Sequence, residues 1–482
     1  MLGSRAPRIA SALLAAAFVA WALADDALIG GAPGFGWTQA AVLIAGLVLG
    51  ASCAAPPAWN GRLLALTLSI GLTLLVVEIG LRSFYSARYY RPFQFDPRSI
   101  YRLSPGATRE HRVSDPNGEE PILYRINRAG FRGEELAAAG GRPRIVVYGD
   151  SFIQAEFSPL PETFAERLEA RVSDRLGVPV EVVNAGVAGY GPDQILNKME
   201  EELADLAPNL VIVSLFAGND FGDPVRNKLY RLDARGELDA TPFSIDPVLA
   251  RQIEVARRES IVKIMLRISA RRLLTALGHD GEYASEPGAT LRQRVKSMTP
   301  RDRMGFFVEQ HTREYEEYVV RGDLVVRELA WDSYDADVSL TPTSASAKFK
   351  TSLLDGIVER MAGVTEAADI PLVLLLIPHP VDVGGHDSME VDRDQYPEYR
   401  PNELTDRLEA IATRHGIAHV NLYDPFRQRG SRELYFRGLD DHWNERGQDL
   451  AAEEMTEFLA STGMLDALAR GLARSAGGGR VP

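Results

Sequence analysis

The chain has 482 residues, of which 45% are hydrophobic and 25% are charged, so it can bury a full core and still carry additional segments. Its 53 Lys and Arg residues against 66 Asp and Glu residues give a net charge of −13, which argues against general nucleic-acid binding. The single cysteine, Cys53, excludes intramolecular disulfides, thiolate metal clusters and Cys-x-x-Cys redox centres.

Three apolar stretches occupy the N-terminal region, at 9–24, 37–55 and 63–81. The second and third are close to the roughly 20 residues that span a bilayer. The first is preceded by Arg5 and Arg8 and ends in Ala-Leu-Ala, so a cleaved signal peptide is an alternative to a transmembrane helix. We therefore predict a membrane anchor over 1–82 with two or three transmembrane helices.

Charges around these stretches bear on the orientation of the anchor. Arginines precede the first stretch, Asp25 and Asp26 follow it, and Arg62 precedes the third. The positive-inside rule then predicts that the chain after residue 82 lies outside the cytoplasm, whether or not the first stretch is cleaved. Three arginines that directly follow the third stretch weigh against this orientation.

Residues 83–143 are predicted to form a connector with entry strands, and a buried strand follows at 144–148. This strand ends in Gly149-Asp150-Ser151, where the glycine permits a tight turn. Ligands bind at the C-terminal edge of an open parallel sheet, so Ser151 is a candidate nucleophile. The alternative is an ordinary polar turn.

Two further strands end in polar loops. The strand at 180–184 leads into a loop with three glycines, and the strand at 210–215 leads into Gly218-Asn219-Asp220. A helical pattern over 193–206 separates them. Alternating strands and helices predict a parallel α/β sheet with right-handed crossovers, which brings the three loops to one edge.

Together, Gly149-Asp-Ser151, Asn184-Ala-Gly-Val-Ala-Gly189 and Gly218-Asn-Asp220 resemble the first three blocks of the SGNH/GDSL hydrolase superfamily. The resemblance implies a three-layer αβα, flavodoxin-like fold in which Ser151 is the nucleophile. It also implies an oxyanion hole formed by the Ser151 amide, the Gly189 amide and the Asn219 side chain.

The region 223–350 is predicted to be a helical insertion in the sheet domain. Its most regular part, 255–277, has apolar residues at helical spacing and arginines or lysines on the other side. This basic side could form a lid or contact an anionic glycan or lipid headgroup. We favour the alternative of a helix packed on the domain with a solvated basic face.

A fourth strand is predicted at 371–377 and a fifth at 418–422, followed by Asp440-Asp441-His442-Trp443. An imidazole can remove the serine proton while a carboxylate orients the ring. The Asp440-x-His442 spacing resembles the SGNH-like acetyltransferases of alginate and related exopolysaccharides. We assign Asp440 as the orienting acid and His442 as the base, with Asp441 as the fallback.

His379 follows the fourth strand, where either a substrate contact or, as we favour, a structural or surface histidine is expected. No His, Asp or Glu cluster has metal-ligand spacing, so we expect neither a metal nor a cofactor. The sheet domain is predicted to span 144–475, followed by a disordered tail at 476–482.

The sequence thus predicts a serine esterase or O-acetyltransferase anchored in the bacterial inner membrane, with its catalytic domain in the periplasm. Its expected substrate is a cell-envelope or exported polysaccharide, and a separate multi-span protein is the expected acyl donor. The alternatives are a lipase-like hydrolase at the membrane surface and a non-catalytic glycan-binding or assembly subunit.

Overall fold

A computed structural model describes residues 5–23, 37–86, 93–112, 121–138, 141–247, 249–250, 262, 295, 297–326, 333–386, 388–436 and 441–469. The chain divides into two compact units, Met1–Ala87 with Ile245–Ala284, and Arg88–Ser244 with Ser285–Pro482. Asp440, the tail at 476–482 and, apart from Val262, the helix predicted at 255–277 lie outside the described residues.

The described part of the first unit contains three helices, α1 (Ala6–Leu23), α2 (Trp37–Ala51) and α3 (Pro57–Ser86), with a short 3-10 turn at Ser52–Ala54. By length and composition Ala6–Leu23 and Pro57–Leu81 could cross a membrane, and Gln39–Ala54 is a shorter apolar helix. The buried Asn60 amide donates to the hydroxyls of Ser11 (3.1 Å) and Ser52 (2.8 Å). Through Asn60, helix α3 is therefore hydrogen-bonded both to α1 and to the turn that follows α2.

The described part of the second unit contains twelve helices and thirteen strands. The count of strands includes Ser244–Ile245, which lies at the boundary between the two units. The strands are β1 (Phe93–Asp96), β2 (Ile100–Leu103), β3 (Thr108–Arg112), β4 (Pro121–Arg125), β5 (Arg144–Tyr148), β6 (Glu181–Asn184), β7 (Leu210–Phe216), β8 (Tyr230–Leu232), β9 (Leu238–Ala240), β10 (Ser244–Ile245), β11 (Val325–Val326), β12 (Leu372–Ile377) and β13 (Ala418–Asn421). The helices are α4 (Ser151–Gln154), α5 (Phe164–Leu176), α6 (Pro192–Leu206), α7 (Asp223–Asn227), α8 (Pro300–Tyr315), α9 (Ala336–Leu340), α10 (Ala345–Ala367), α11 (Pro380–Gly384), α12 (Glu403–Arg414), α13 (Tyr423–Arg429), α14 (Ser431–Leu434) and α15 (Glu445–Ser461).

Five of these strands form a parallel sheet in the order β13-β12-β7-β5-β6. Numbered along the chain, this order is 2-1-3-4-5, which is the flavodoxin-like doubly wound arrangement. The fold class predicted from the sequence is therefore confirmed. Three antiparallel hairpins, β1–β2, β3–β4 and β8–β9, lie outside this sheet.

Helices cover both faces of the parallel sheet. Successive residues of β5 enter opposite hydrophobic cores: Val146 belongs to one core and Val147 to the other. One core contains the apolar faces of α6, α10 and α12, and the other contains those of α5 and α15. Because neighbouring strand residues point to opposite faces, burial on both sides requires the continuous apolar runs seen in the sequence.

The described part of the middle region, for which a helical insertion is predicted at 223–350, contains short strands beside its helices. The β8–β9 hairpin turns through Gly236, whose φ of +81° favours glycine. A helix, α8, then leads into a π-helical turn at Glu316–Val320, and the short helix α9 follows. This region supplies Asp335, which contacts the loop that follows β7.

Candidate active site

Ser151 begins the short helix α4 directly after β5, at the carboxyl edge of the sheet. The Asp150 carboxylate accepts a hydrogen bond from the Phe152 amide (2.9 Å) and caps the start of this helix. The Ser151 side chain is half-buried, and its Oγ lies 2.7 Å from Nε2 of His442. Two side chains predicted from the sequence therefore meet at hydrogen-bond distance although 291 residues separate them.

Close packing under the nucleophile explains two glycines. A Cβ at Gly149 would lie 2.1 Å from Oγ of Ser214, and a Cβ at Gly186 would lie 2.4 Å from the Gln154 amide nitrogen. The Asn184 side chain ties the two loops together, since it donates to the Ile153 carbonyl (2.7 Å) and accepts from the Gly186 amide (3.1 Å). Asn184 thus joins the loop after β6 to the helix that carries Ser151.

Arg132 secures the other end of that helix and was not singled out by the sequence analysis. Its buried guanidinium donates to the carbonyls of Gln154 (2.6 Å), Ala155 and Ser158 (2.6 Å), and it stacks over the Tyr124 ring. Burial lowers the pKa of Arg132 to about 10, since water no longer solvates the charge. A single charged side chain therefore fixes three carbonyls of the segment that follows the nucleophile.

Two backbone amides at this edge can receive an oxyanion. Among the described residues, neither the Ser151 amide nor the Gly189 amide donates a hydrogen bond to another group. Gly189 is exposed and has a φ of +76°, and a Cβ there would lie 2.6 Å from the Tyr101 hydroxyl. Tyr101 in turn donates to the Ala188 carbonyl (2.8 Å), which holds the β1–β2 hairpin against this loop.

The third candidate for the oxyanion hole, Asn219, is buried in the loop after β7. Its carbonyl accepts hydrogen bonds from the amides of Gly222 (2.9 Å) and Asp223 (3.0 Å). Asp220 accepts from the Phe216 amide (2.7 Å), and Asp335 accepts from the Gly222 amide (2.8 Å). The loop is thus held at both ends by buried carboxylates.

Asp335 belongs to a buried cluster of charges. Nζ of Lys350 lies 2.8 Å from Asp337, 3.1 Å from Nδ1 of His311 and 3.5 Å from Asp335, and all four side chains are fully buried. Burial alone lowers the pKa of Lys350, but the carboxylates of Asp337, Asp335 and Glu314 outweigh burial and raise the pKa above its usual value. His311, Asp335 and Asp337 could by geometry hold a metal ion, but the Lys350 ammonium lies among them.

The segment that carries His442 is held against Ser151 by the residues that follow His442 in the chain. The Trp443 indole donates to the Phe152 carbonyl (3.0 Å), and the Asn444 side chain donates to the carbonyls of Glu433 (2.8 Å) and Tyr435 (3.2 Å). The His442 ring stacks on Phe152 with a centroid distance of 5.0 Å. These contacts restrict the His442 ring, so its Nε2 faces Ser151.

The rim of the site beside His442 is aromatic. The half-buried Phe157 ring lies edge-on to His442 at 5.3 Å and contacts Phe436 at 6.3 Å. Phe157 comes from the segment after α4, and Phe436 precedes the loop that leads to His442. An apolar group bound at this edge would therefore meet an aromatic surface next to His442.

A carboxylate lies beside the other nitrogen of His442. Oδ1 of Asp441 is 3.5 Å from Nδ1 of His442. Burial raises the pKa of Asp441, but the neighbouring imidazoles of His379 and His442 outweigh burial and hold it at about 2. Asp441 is therefore ionised at neutral pH, and Asp440, the acid assigned from the sequence, lies outside the described residues.

His379 is buried at the end of β12, so a surface position is excluded. Its Nε2 lies 3.7 Å from Oδ2 of Asp441, and its ring packs against Tyr334 with a centroid distance of 4.6 Å. Burial lowers the pKa of His379, although Asp441 opposes this effect. The ring is therefore neutral at neutral pH.

Comparison with known proteins gives similar structures but no sequence relative. No model of a protein family matches the chain. No curated protein matches it in sequence.

Three similar solved structures illustrate the range of the structural matches. TesA is 14% identical with a TM-score of 0.31, over 66% of this chain and 98% of its own. The psychrotrophic esterase EstA from Pseudoalteromonas sp. is 11% identical with a TM-score of 0.31, over 66% of this chain and 97% of its own. Axe2, an acetylxylan esterase from Geobacillus stearothermophilus, is 8% identical with a TM-score of 0.33, over 66% of this chain and 94% of its own. At these identities and TM-scores the neighbours assign neither an activity nor a substrate to this chain.

Proposed function

We propose that the chain is a serine esterase or O-acyltransferase of the SGNH/GDSL kind that works through an acyl-enzyme on Ser151. The observation that carries the proposal is the 2.7 Å contact between Ser151 Oγ and His442 Nε2 at the carboxyl edge of the sheet. Ligands of doubly wound folds bind at this edge, and a serine hydrogen-bonded to an imidazole is an activated nucleophile.

The reaction begins when His442 Nε2 takes the proton of Ser151 and Oγ attacks the carbonyl carbon of an ester. The tetrahedral oxyanion is held by the amides of Ser151 and Gly189 and by the Asn219 side chain. His442 then returns the proton to the departing alcohol, which leaves an acyl group on Ser151. In the second half, His442 deprotonates water in an esterase or a sugar hydroxyl in a transferase, and that oxygen attacks the acyl carbon. The bond to Ser151 Oγ then breaks, and His442 returns the proton to Oγ.

The orienting acid of the triad is proposed to be Asp440, with Asp441 as the alternative. The 3.5 Å distance from Asp441 to His442 Nδ1 supports the alternative, while the Asp440-x-His442 spacing supports the assignment. Separate Asp440→Asn and Asp441→Asn variants decide between them. The variant that removes the orienting acid is expected to lose about 10⁴-fold in kcat, and the other is expected to lose much less.

The test of the enzyme proposal is the intact mass of the protein after brief exposure to p-nitrophenyl acetate. An acetyl adduct is expected on the natural chain and not on Ser151→Ala, whose turnover is expected to fall by about 10⁶-fold. Release of nitrophenol at the same rate from both proteins would contradict the proposal. It would leave a binding or assembly subunit as the better interpretation.

The choice between esterase and transferase rests on the fate of the acetyl group. For a transferase, we expect the Ser151 adduct to disappear faster when polysaccharides from the cell envelope are added. Equally fast loss in buffer indicates an esterase. We propose an exported or cell-envelope polysaccharide as substrate because the chain carries helices that suit a membrane anchor.

We further propose that α1, α2 and α3 anchor the protein in the bacterial inner membrane. The apolar side chains of α3, including Leu66, Ile70 and Leu74, are exposed within their own unit, as lipid-facing residues are. The Arg8 side chain donates to the Ala55 carbonyl (2.9 Å), so the basic start of α1 lies beside the turn that precedes α3. Arginines collect on the cytoplasmic side, which supports a periplasmic position for the chain after α3.

A separate multi-span protein is proposed to supply acyl groups from the cytoplasm, because three helices are few for an acyl carrier of this kind. Acetyl transfer from a cytoplasmic donor by the purified chain, in vesicles that contain no other protein, would contradict this partner. Vesicles that carry the chain with its catalytic unit outside and the donor inside are the appropriate assay.

A further inference from the structure

The proposed mechanism makes no use of His379, although this histidine is fully buried at the carboxyl edge of the sheet. Its Nδ1 accepts a hydrogen bond from the Val381 amide (3.2 Å). A nitrogen that accepts carries no proton, so the neutral ring must carry its hydrogen on Nε2. The fold therefore sets the tautomer of His379 and makes its Nε2 a donor.

The Nε2–H of His379 points to one acceptor. Within the described part of the chain this nitrogen has no partner at hydrogen-bond length, and Oδ2 of Asp441 lies 3.7 Å away. The other oxygen of the same carboxylate, Oδ1, lies 3.5 Å from Nδ1 of His442. One carboxylate thus faces the Nε2 of a buried histidine and the Nδ1 of the proposed base, and such contacts often shorten when substrate binds.

We propose that His379 is a positioning residue that holds Asp441 against His442. Its Nε2–H donates to Oδ2, which turns Oδ1 toward Nδ1 of His442 and stabilises the imidazolium that forms when Ser151 loses its proton. This inference rests on the proposed function in the form in which Asp441, the alternative to Asp440, orients His442. His379 itself touches no substrate, because its ring is fully buried under Tyr334 and Phe216.

A packing role alone does not require a histidine at this position. The ring lies 4.6 Å from the Tyr334 ring and 5.7 Å from the Phe216 ring, between centroids, and it borders Gly218 closely. A phenyl ring would satisfy these apolar contacts. A phenyl ring lacks both the Nε2–H and the Nδ1 that accepts from the Val381 amide at the start of α11, so His379→Phe removes the donor and this cap together. The comparison with His379→Gln, which restores a donor of similar reach, and with Asp441→Asn isolates the donor.

The first experiment measures kcat and KM for p-nitrophenyl acetate with the full-length chain. His379→Phe is expected to lower kcat by about 10²-fold, the cost of a small misplacement in a catalytic group, with KM unchanged. His379→Gln is expected to recover most of this loss. Unchanged thermal unfolding shows that each variant is folded. A folded His379→Phe with the kcat of the natural chain would overturn the inference.

A double-mutant cycle with Asp441→Asn tests whether His379 acts through Asp441. If it does, His379→Phe changes kcat by less than about 3-fold once Asp441 is replaced. Additive losses would overturn the inference.

A measurement on the histidines themselves does not depend on activity or on a folded His379→Phe. In protein labelled with ¹⁵N-histidine, the resonance that His379→Gln removes is expected to be a neutral ring protonated at Nε2, and Asp441→Asn is expected to shift it. A resonance that Asp441→Asn leaves in place would overturn the inference. The resonance measurement tests only the contact between His379 and Asp441. The proposed function is tested separately by the acetyl adduct, and it fails if Ser151→Ala still forms that adduct.

Discussion

Replacement of Lys350 by methionine is expected to destabilise the second unit by about 3–5 kcal/mol, the range for one partner removed from a buried ion pair. Lys350 Nζ lies 2.8 Å from Asp337 and 3.5 Å from Asp335, and no part of these side chains is exposed. At an effective dielectric constant of 20, these distances correspond to gross attractions of about 6 and about 5 kcal/mol. The cost of desolvating the ammonium cancels much of that sum, and the variant leaves two carboxylates without their cation.

The assay is thermal unfolding of the full-length chain in detergent, followed by circular dichroism. A loss of this size corresponds to a fall of about 10 °C in Tm. The matched control is Lys348→Met on the exposed side of the same helix, which is expected to change the free energy of unfolding by less than about 0.5 kcal/mol. The double variant Lys350→Met/Asp337→Asn is expected to be more stable than Lys350→Met, since it removes one uncompensated charge. A single variant as stable as the control, or a double variant less stable than the single one, would refute this reasoning.

Three further predictions concern residues near the carboxyl edge of the parallel sheet. Burial raises the pKa of Asp382 to about 7, so between about pH 4 and 7 the folded chain keeps a proton that the unfolded chain loses. The free energy of unfolding should therefore fall with rising pH by up to about 1.4 kcal/mol per pH unit in this range. Melting curves at several pH values should show that Asp382→Asn flattens this slope. Gly218→Ala would place a Cβ 2.4 Å from the Phe216 ring and 2.8 Å from His379, so Tm and the rate of acetyl-adduct formation should both fall, and an unaltered adduct rate would count against the packing described for this loop. Arg132→Lys keeps the charge but loses the planar fork that reaches three carbonyls, so it should slow adduct formation while an exposed Arg128→Lys should not.

The parallel sheet could be predicted because each of its strands carries its own signal. Buried parallel strands require continuous apolar runs, and the runs of β5, β7 and β12 are followed within two residues by a glycine or a proline, whereas β13 alternates apolar and polar residues. Helix boundaries were less certain. Helix α5 starts at Phe164 because Thr163 caps it, with its hydroxyl accepting from the Glu166 amide (3.4 Å). Ser344 likewise caps α10, which begins at Ala345.

The supporting residues of the site could not be predicted in the same way. Arg132 acts on carbonyls 22 to 26 residues further along the chain, and nothing in its local sequence indicates that contact. The Lys350 cluster draws His311, Asp335 and Asp337 from separate segments, so it has no characteristic spacing. The β8–β9 hairpin does have a local signal, the Asp-Ala-Arg-Gly-Glu turn between Leu232 and Leu238, although the sequence pattern of the whole region predicts a helical insertion.

The contact between α5 and α15 has a consequence for the order in which the protein matures. The Gln448 side chain accepts a hydrogen bond from the Phe164 amide (3.0 Å) and donates to the Ser158 hydroxyl (2.6 Å), across 284 and 290 residues of chain. Contacts of such sequence separation form late, after the local elements of a domain. During synthesis, Ser151 therefore emerges long before His442, and the contact between their side chains cannot form until the segment from His442 to Ser461 has been made and has docked. If Ser151 is the nucleophile proposed above, it gains its reactivity only at that stage.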